Sequence, residues 1–209
     1  MSLSLLLAVG CSQQRGNEPN KSADNNSSST TATSGNSSTD AKTSTSGPIS
    51  SSDQQFITEA ANGGMKEVEL SNYVAQKTQS MEVRQLAERI AQDHSNANSE
   101  LKSAAQQDNG NVPASMDEKA MQEFDQFKKM SGTKLDQMYV QHMIQDHKKD
   151  IAKFQEEASS GTASQVKAFA QKTLPTLQEH LQMAQDTHSK MSGGSGKAAS
   201  STGGDSQRQ

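Results

Sequence analysis

Four stretches of this chain repeat apolar residues at alternating spacings of three and four, the period that lays one stripe along an α-helix. The first stripe reads Phe56, Ala60, Gly63, Glu67, Leu70, Val74, Thr78, and the second Val83, Leu86, Ile90, His94, Ala97, Leu101, Ala104. The third is Val140, Ile144, His147, Ile151, Phe154, Ala158, and the fourth Val166, Phe169, Thr173, Leu177, His180, Ala184. Start and stop signals bound the helices. Ser52-Asp53-Gln54-Gln55 has capping-box spacing, so the first helix is expected over 52–78. The second is expected over 81–107, ending at the turn signal "DNGNVP". A shorter helix should follow Ser115-Met116-Asp117-Glu118 and stop at Ser131-Gly132. The next runs from Thr133 to "ASSG", with Gly161 at its end. The last opens on a second capping-box spacing, Thr162 to Gln165, and reaches Met191. Pro175 in its interior removes a hydrogen bond to Gln171 and predicts a kink.

Four long amphipathic helices with mostly short connections predict an all-α four-helix bundle, with the extra short helix in the crossover between two hairpins. No βαβ alternation, phosphate-binding glycine loop or nucleophile elbow interrupts the pattern.

Composition changes this picture at the two ends. Residues 12–51 are dominated by Ser, Thr, Asn, Gly and Ala, too few apolar groups to offset the entropy of ordering, and predict a disordered tether. A flexible chain of that length has an end-to-end distance of about 35 Å. Residues 192–209 have the same character, leaving 52–191 as one domain of ordinary size. The net charge of −4, with no dense basic face, argues against a nucleic-acid partner.

The opening "MSLSLLLAVGC" has the length of a secretory h-region and falls short of the roughly 20 residues a membrane span needs. Its "LAVGC" resembles the lipobox of bacterial lipoprotein leaders, which makes residues 1–11 a signal segment and Cys11 the lipidation site. A leader should begin with positive charge, yet the first cation is Arg15, which points to a start further upstream. Cys11 is the single cysteine, so an internal disulfide and cysteine-based zinc motifs are excluded. The chain is thus expected to be exported and held at the bacterial envelope by a lipid. Ser12 after the cysteine favours the outer membrane facing the periplasm.

The candidate chemistry lies where the stripes turn polar. "IAQDHSN", "MIQDHKK" and "TLQEHLQ" each set Gln-acid-His into a helix, and three of the five histidines occur there. Each histidine falls on the stripe, while the preceding acid points about 100° away, onto the flank. With Glu67, the four helices each contribute one inward ionisable group: Glu67, His94, His147 and His180. Glu67 lies 13 positions before a turn near residue 80 and His94 lies 14 after it, so the two should sit side by side. His147 and His180 lie 14 and 19 positions from the second turn, a mismatch of about 7 Å at 1.5 Å per residue.

Three readings fit such a set: a transition-metal site for zinc, copper or iron, a buried hydrogen-bonded network, or acid–base groups. Burying four unpaired ionisable side chains is costly, so some partner is expected. A di-iron carboxylate centre uses Glu-x-x-His on two helices, but Ala91, Ile144 and Leu177 stand three residues before the histidines, which disfavours it. His142 projects away from Ile144 and His147 and is expected in solvent, and His188 near a helix end. Met143, one turn from His147, is the one methionine placed as a soft ligand.

The segments 56–101, 135–158 and 166–184 resemble the bacterial domain of unknown function 4142, over essentially the whole folded part. The best matches are Glu67, Glu69, Asp93-His94, Tyr139, Asp146-His147, Leu174-Pro175 and His180. The resemblance implies a ferritin-like fold and an exported, outer-membrane address, without an assigned reaction. "HMIQDH" is also similar to a second uncharacterised helical family with paired histidines, one associated with metal handling. These expectations lead to a non-enzymatic envelope lipoprotein that binds a protein partner or resists envelope stress. The alternative is a metal-binding or metal-buffering module using Glu67, His94, His147 and His180.

Overall fold

A computed structural model describes residues 48–194. The expected leader, Cys11, most of the tether and the tail from 195 lie outside the described residues. Five helices follow one another: α1 (Ser51–Lys77), α2 (Met81–Gln107), α3 (Glu118–Lys128), α4 (Gly132–Ser160) and α5 (Ser164–Gly194). Among the described residues, none of these is long and apolar enough to cross a membrane.

The long helices form a ferritin-like four-helix bundle. α1 pairs with α2 and α4 with α5 as hairpins, and the 108–131 connection crosses the length of the bundle with α3 inside it. The contacts Glu59–Lys153, Lys66–Asp146 and Ser71–Tyr139 run α1 antiparallel to α4. Arg89–Glu179, Asp93–His180 and Glu100–Lys172 do the same for α2 and α5. α3 lies over the seam between α1 and α4. Phe124 meets Tyr73 edge-on, and the Phe127 ring packs on His142.

The apolar stripes fill two clusters at opposite ends. One holds Leu70, Leu86, Ile90, Leu135, Tyr139 and Met143, the other Ile57, Leu101, Phe154, Phe169 and Leu177. Each fully buried Leu or Ile contributes about 1.5–3 kcal/mol. The polar stripe positions fall between the clusters.

The helix ends are set by different residues from those the capping spacings suggest. Ser50, not Ser52, caps α1 and accepts from the Asp53 N–H. Asp117 caps α3 through the Ala120 N–H. Thr162 does not cap α5; two carboxylates from other helices do. Asp53 accepts from Thr162 and Ala163, and Asp108 accepts from Gln165 and Val166. Both anions meet the positive end of the α5 dipole. Asn109 carries Asp108 into place: at φ 58° it closes α2 in a Schellman turn, with Gly110 N–H donating to Ala105 C=O at 2.7 Å. α5 continues unbroken past Pro175 to Gly194.

Candidate metal centre

Between the two apolar clusters, four helices each turn one ionisable side chain inward. Glu67, His94, His147 and His180 are all buried, the last two completely. His147 Nε2 lies 3.5 Å from His94 Nε2 and 3.1 Å from His180 Nδ1. Three ring nitrogens from α2, α4 and α5 therefore converge within 4.8 Å of one another. The expected 7 Å mismatch between His147 and His180 does not occur. The turn between Ser160 and Ser164 is centred on 162, which leaves His147 and His180 three positions out of step, about 4.5 Å, within the reach of two imidazoles.

The outward nitrogens fix the tautomers. His147 Nδ1 lies 3.0 Å from the Met143 carbonyl, which can only accept, so that nitrogen carries the proton. His180 Nε2 donates to Asp93 Oδ2 at 2.9 Å. It follows that His147 Nε2 and His180 Nδ1, 3.1 Å apart, present lone pairs to each other. Two facing lone pairs repel unless a positive centre lies between them.

A proton is a poor candidate for that centre. Burial pushes His94 down to about 3, and the neighbouring His147 works in the same direction. Burial likewise takes His180 to about 4, against the opposing effect of its hydrogen bond to Asp93. Both rings are neutral at physiological pH.

Glu67 does not join the nitrogen cluster. It stands behind two of the rings, with Oε2 3.0 Å from His94 Nδ1 and Oε1 3.5 Å from His147 Nδ1. The ring N–H groups miss these lines, and neither carboxylate oxygen accepts a hydrogen bond. Burial raises its pKa. An outer-shell carboxylate orients a metal ligand by accepting its ring N–H; Glu67 stands beside the rings without making that bond.

The acids of the three Gln-acid-His stretches have three fates. Asp93 orients His180 and also pairs with Arg89 one turn away. Although burial opposes it, the Arg89 and His180 hydrogen bonds hold the Asp93 carboxyl below its ordinary value. Asp146 faces α3, bound to Lys66 Nζ at 2.8 Å. Glu179 reaches Arg89 at 3.4 Å.

His142 is not in solvent, contrary to its expected position: α3 covers it, and its Nε2 lies 3.1 Å from Asp146 Oδ2. Met143 contributes its backbone carbonyl, and its side chain packs in the core. Asp150 was not singled out by the stripe pattern, yet it borders the site. Burial, and then the Glu67 charge, raise it to about 7. Its spacing of three from His147, one helical turn on, was the available signal.

The matching family model, "Domain of unknown function (DUF4142)", covers residues 38–187, and the chain belongs to this family. No curated protein matches it. Among solved structures it is similar to "Crystal structure of DUF305 fragment from Deinococcus radiodurans". That likeness has a TM-score of 0.59 at 12% identity, over 69% of this chain and 99% of the other. It concerns the fold alone.

The ferritin-like fold brings a di-iron carboxylate centre to mind, and these residues do not fit one. Such a centre takes four bridging or terminal glutamates with two histidines. Here three imidazoles converge, and the one carboxylate from α1 stands on their far side.

Proposed function

We propose that this domain binds one divalent transition-metal ion through His94, His147 and His180. The 3.1 Å approach of His147 Nε2 to His180 Nδ1, with both opposite nitrogens already donating, carries this reading. Bonds of 2.0–2.1 Å to a tetrahedral ion put neighbouring nitrogens about 3.3 Å apart. The spacings of 3.1 and 3.5 Å bracket that edge. Glu67 stands outside the rings as a buried carboxylate with no lysine or arginine partner among the described ion pairs, and Asp93, paired with Arg89, orients His180. Neutral imidazoles without sulfur suit zinc, copper or iron(II). When bound, such an ion would supply a Lewis acid; the chain's own residues hold His147 and His180 in the tautomers that turn a lone pair inward, with His94 Nε2 3.5 Å from His147 Nε2.

In this reading the protein is an exported envelope lipoprotein, anchored through Cys11 and presenting a metal-binding bundle on its 12–51 tether. Binding and buffering, rather than turnover, is the role assigned. Partner binding in the envelope, the leading expectation from sequence, gains no specific support from the geometry.

The test is native metal content. Full-length protein purified without a tag should carry close to one transition-metal ion by mass spectrometry, and His94→Ala/His147→Ala none. Trace metal in the native protein, unchanged in the double variant, would refute the reading. Separately, Cys11→Ala should shift the protein from the detergent phase to the aqueous phase; equal partitioning rules out the anchor.

A further inference from the structure

The histidine centre is buried, so an ion needs a way in. A cavity of about 20 Å³, large enough for one water-sized particle, lies beside Glu67 and His94. Outside it, a surface groove of about 370 Å³ runs between α1, α3 and α4, past Lys66 and Asp146. Groove and cavity share two residues, Gly63 on α1 and Asp150 on α4.

We propose that this junction is the metal entry port, with Gly63 as the aperture and Asp150 as the carboxylate that hands a divalent cation from the groove to the centre. The inference rests on the histidine reading and adds the route. Gly63 has a distinct signature: a Cβ built there meets nothing within 4 Å. The neighbouring Gly64 is different, because a Cβ there would collide with the Asn98 side chain at 2.1 Å. A side chain at 64 would have to displace the Asn98 amide of α2, and one at 63 would displace nothing. A glycine inside a helix costs stability; at 63 the return for that cost is open space where groove meets cavity.

The charges at the port suit a cation. Three of the groove's four lysines are held by acids: Lys66 by Glu123 and Asp146, Lys153 by Glu59, and Lys149 by Asp146; the fourth, Lys119, has no such partner among the described ion pairs. Asp150 has no such lysine or arginine partner among the described ion pairs.

A competing route lies on the opposite face. A smaller groove between α2 and α5 shares Ala97 and Thr173 with the same cavity. The two shared residues offer a methyl group and a hydroxyl committed to Phe169 C=O at 2.8 Å, and the groove's carboxylates, Asp93 and Glu100, are already paired with Arg89 and Lys172. The Gly63 side is therefore the one assigned.

Cobalt(II) capture by the metal-stripped full chain, followed by its visible absorption in stopped flow, tests the port. Gly63→Leu should slow capture and release alike, by about tenfold, a barrier increase of one decade, and leave the equilibrium affinity unchanged. Asp150→Asn should slow capture several-fold, and Ala97→Leu should not. Far-ultraviolet circular dichroism confirms the fold of each variant, and the Gly63→Leu and Asp150→Asn pair decides even where Ala97→Leu does not fold. Wild-type rates in Gly63→Leu and Asp150→Asn overturn the port, as does slowing confined to Ala97→Leu. No capture by wild type overturns the histidine reading itself, and the port with it.

Discussion

Two clusters of imidazole and carboxylate stand back to back in this bundle. The outer one joins Glu123, His142 and Asp146 under α3; the inner one joins His94, His147 and His180. They are coupled through neighbours in sequence, since Lys66 adjoins Glu67 on α1 and Asp146 adjoins His147 on α4. The decisive difference is the cation. In the outer cluster the chain supplies its own: Lys66 Nζ reaches Glu123 at 2.7 Å and Asp146 at 2.8 Å. In the inner cluster three ring nitrogens converge, two of them fixed as lone pairs by the bonds at their opposite nitrogens, and no lysine or arginine among the described ion pairs reaches them. Of the two carboxylates behind them, Asp93 is paired with Arg89, and Glu67 has no lysine or arginine partner among the described ion pairs. A similar residue inventory thus yields an ion-paired strap in one place and, in the proposed reading, a ligand set in the other.

The largest effect that separates them is on metal affinity. His94→Ala/His147→Ala should lower zinc affinity by more than about a thousandfold, given that the ligands of a zinc site share roughly 10–16 kcal/mol. His142→Ala should leave it unchanged, as read by competition with a chromophoric chelator. Equal losses in both variants would erase the distinction drawn between the clusters.

Lys66→Ala comes next. Breaking a buried ion pair costs about 3–5 kcal/mol, and Glu123 is about one-third exposed, so a loss of about 2–3 kcal/mol in urea denaturation is expected. The same variant should acquire a weaker second equivalent of zinc at Glu123, His142 and Asp146. Unchanged stoichiometry would show that Lys66 is not what keeps metal out of the outer cluster.

Asp93→Asn removes the acceptor that orients His180. Zinc affinity should fall about 10- to 100-fold with one equivalent still bound, the usual cost of an outer-shell partner. A purely structural Asp93 would lower the urea midpoint instead and leave chelator competition as in wild type.

The smallest effect is on pH dependence in the metal-free protein. His180 falls to about 4 in the folded state from 6.5. The unfolded chain therefore binds the extra proton between those values. The stability from keeping this ring neutral is complete above pH 6.5 and is lost as pH falls toward 4. Replacing it as His180→Gln should flatten the urea midpoint profile over that window. For His142, lowered chiefly by burial and opposed by Asp146, the flattening should be smaller. A steeper profile in His180→Gln would contradict the sign.

Much of the bundle was legible because its signals are local. The 3–4 spacing placed four helices, and Gln-acid-His marked three inward rings with acids on the flank. What escaped depends on elements far apart in sequence. α3 covers His142, which no period in α4 reveals. Asp53 and Asp108 cap α5 from across the bundle, where Thr162 and Gln165 offered the local alternative. The meeting of His147 with His180 depends on where the α4–α5 turn is centred and on imidazole reach, which counting from residue 161 misses. Glu67 was correctly placed inward beside His94, but only side-chain geometry puts its oxygens on the far side of the rings.

Isothermal titration of the untagged, metal-stripped full chain with zinc tests the central claim most directly. One equivalent should bind in wild type and in His142→Ala, and none in His94→Ala/His147→Ala. Absence of binding in wild type, or one equivalent retained by the double variant, would contradict the account.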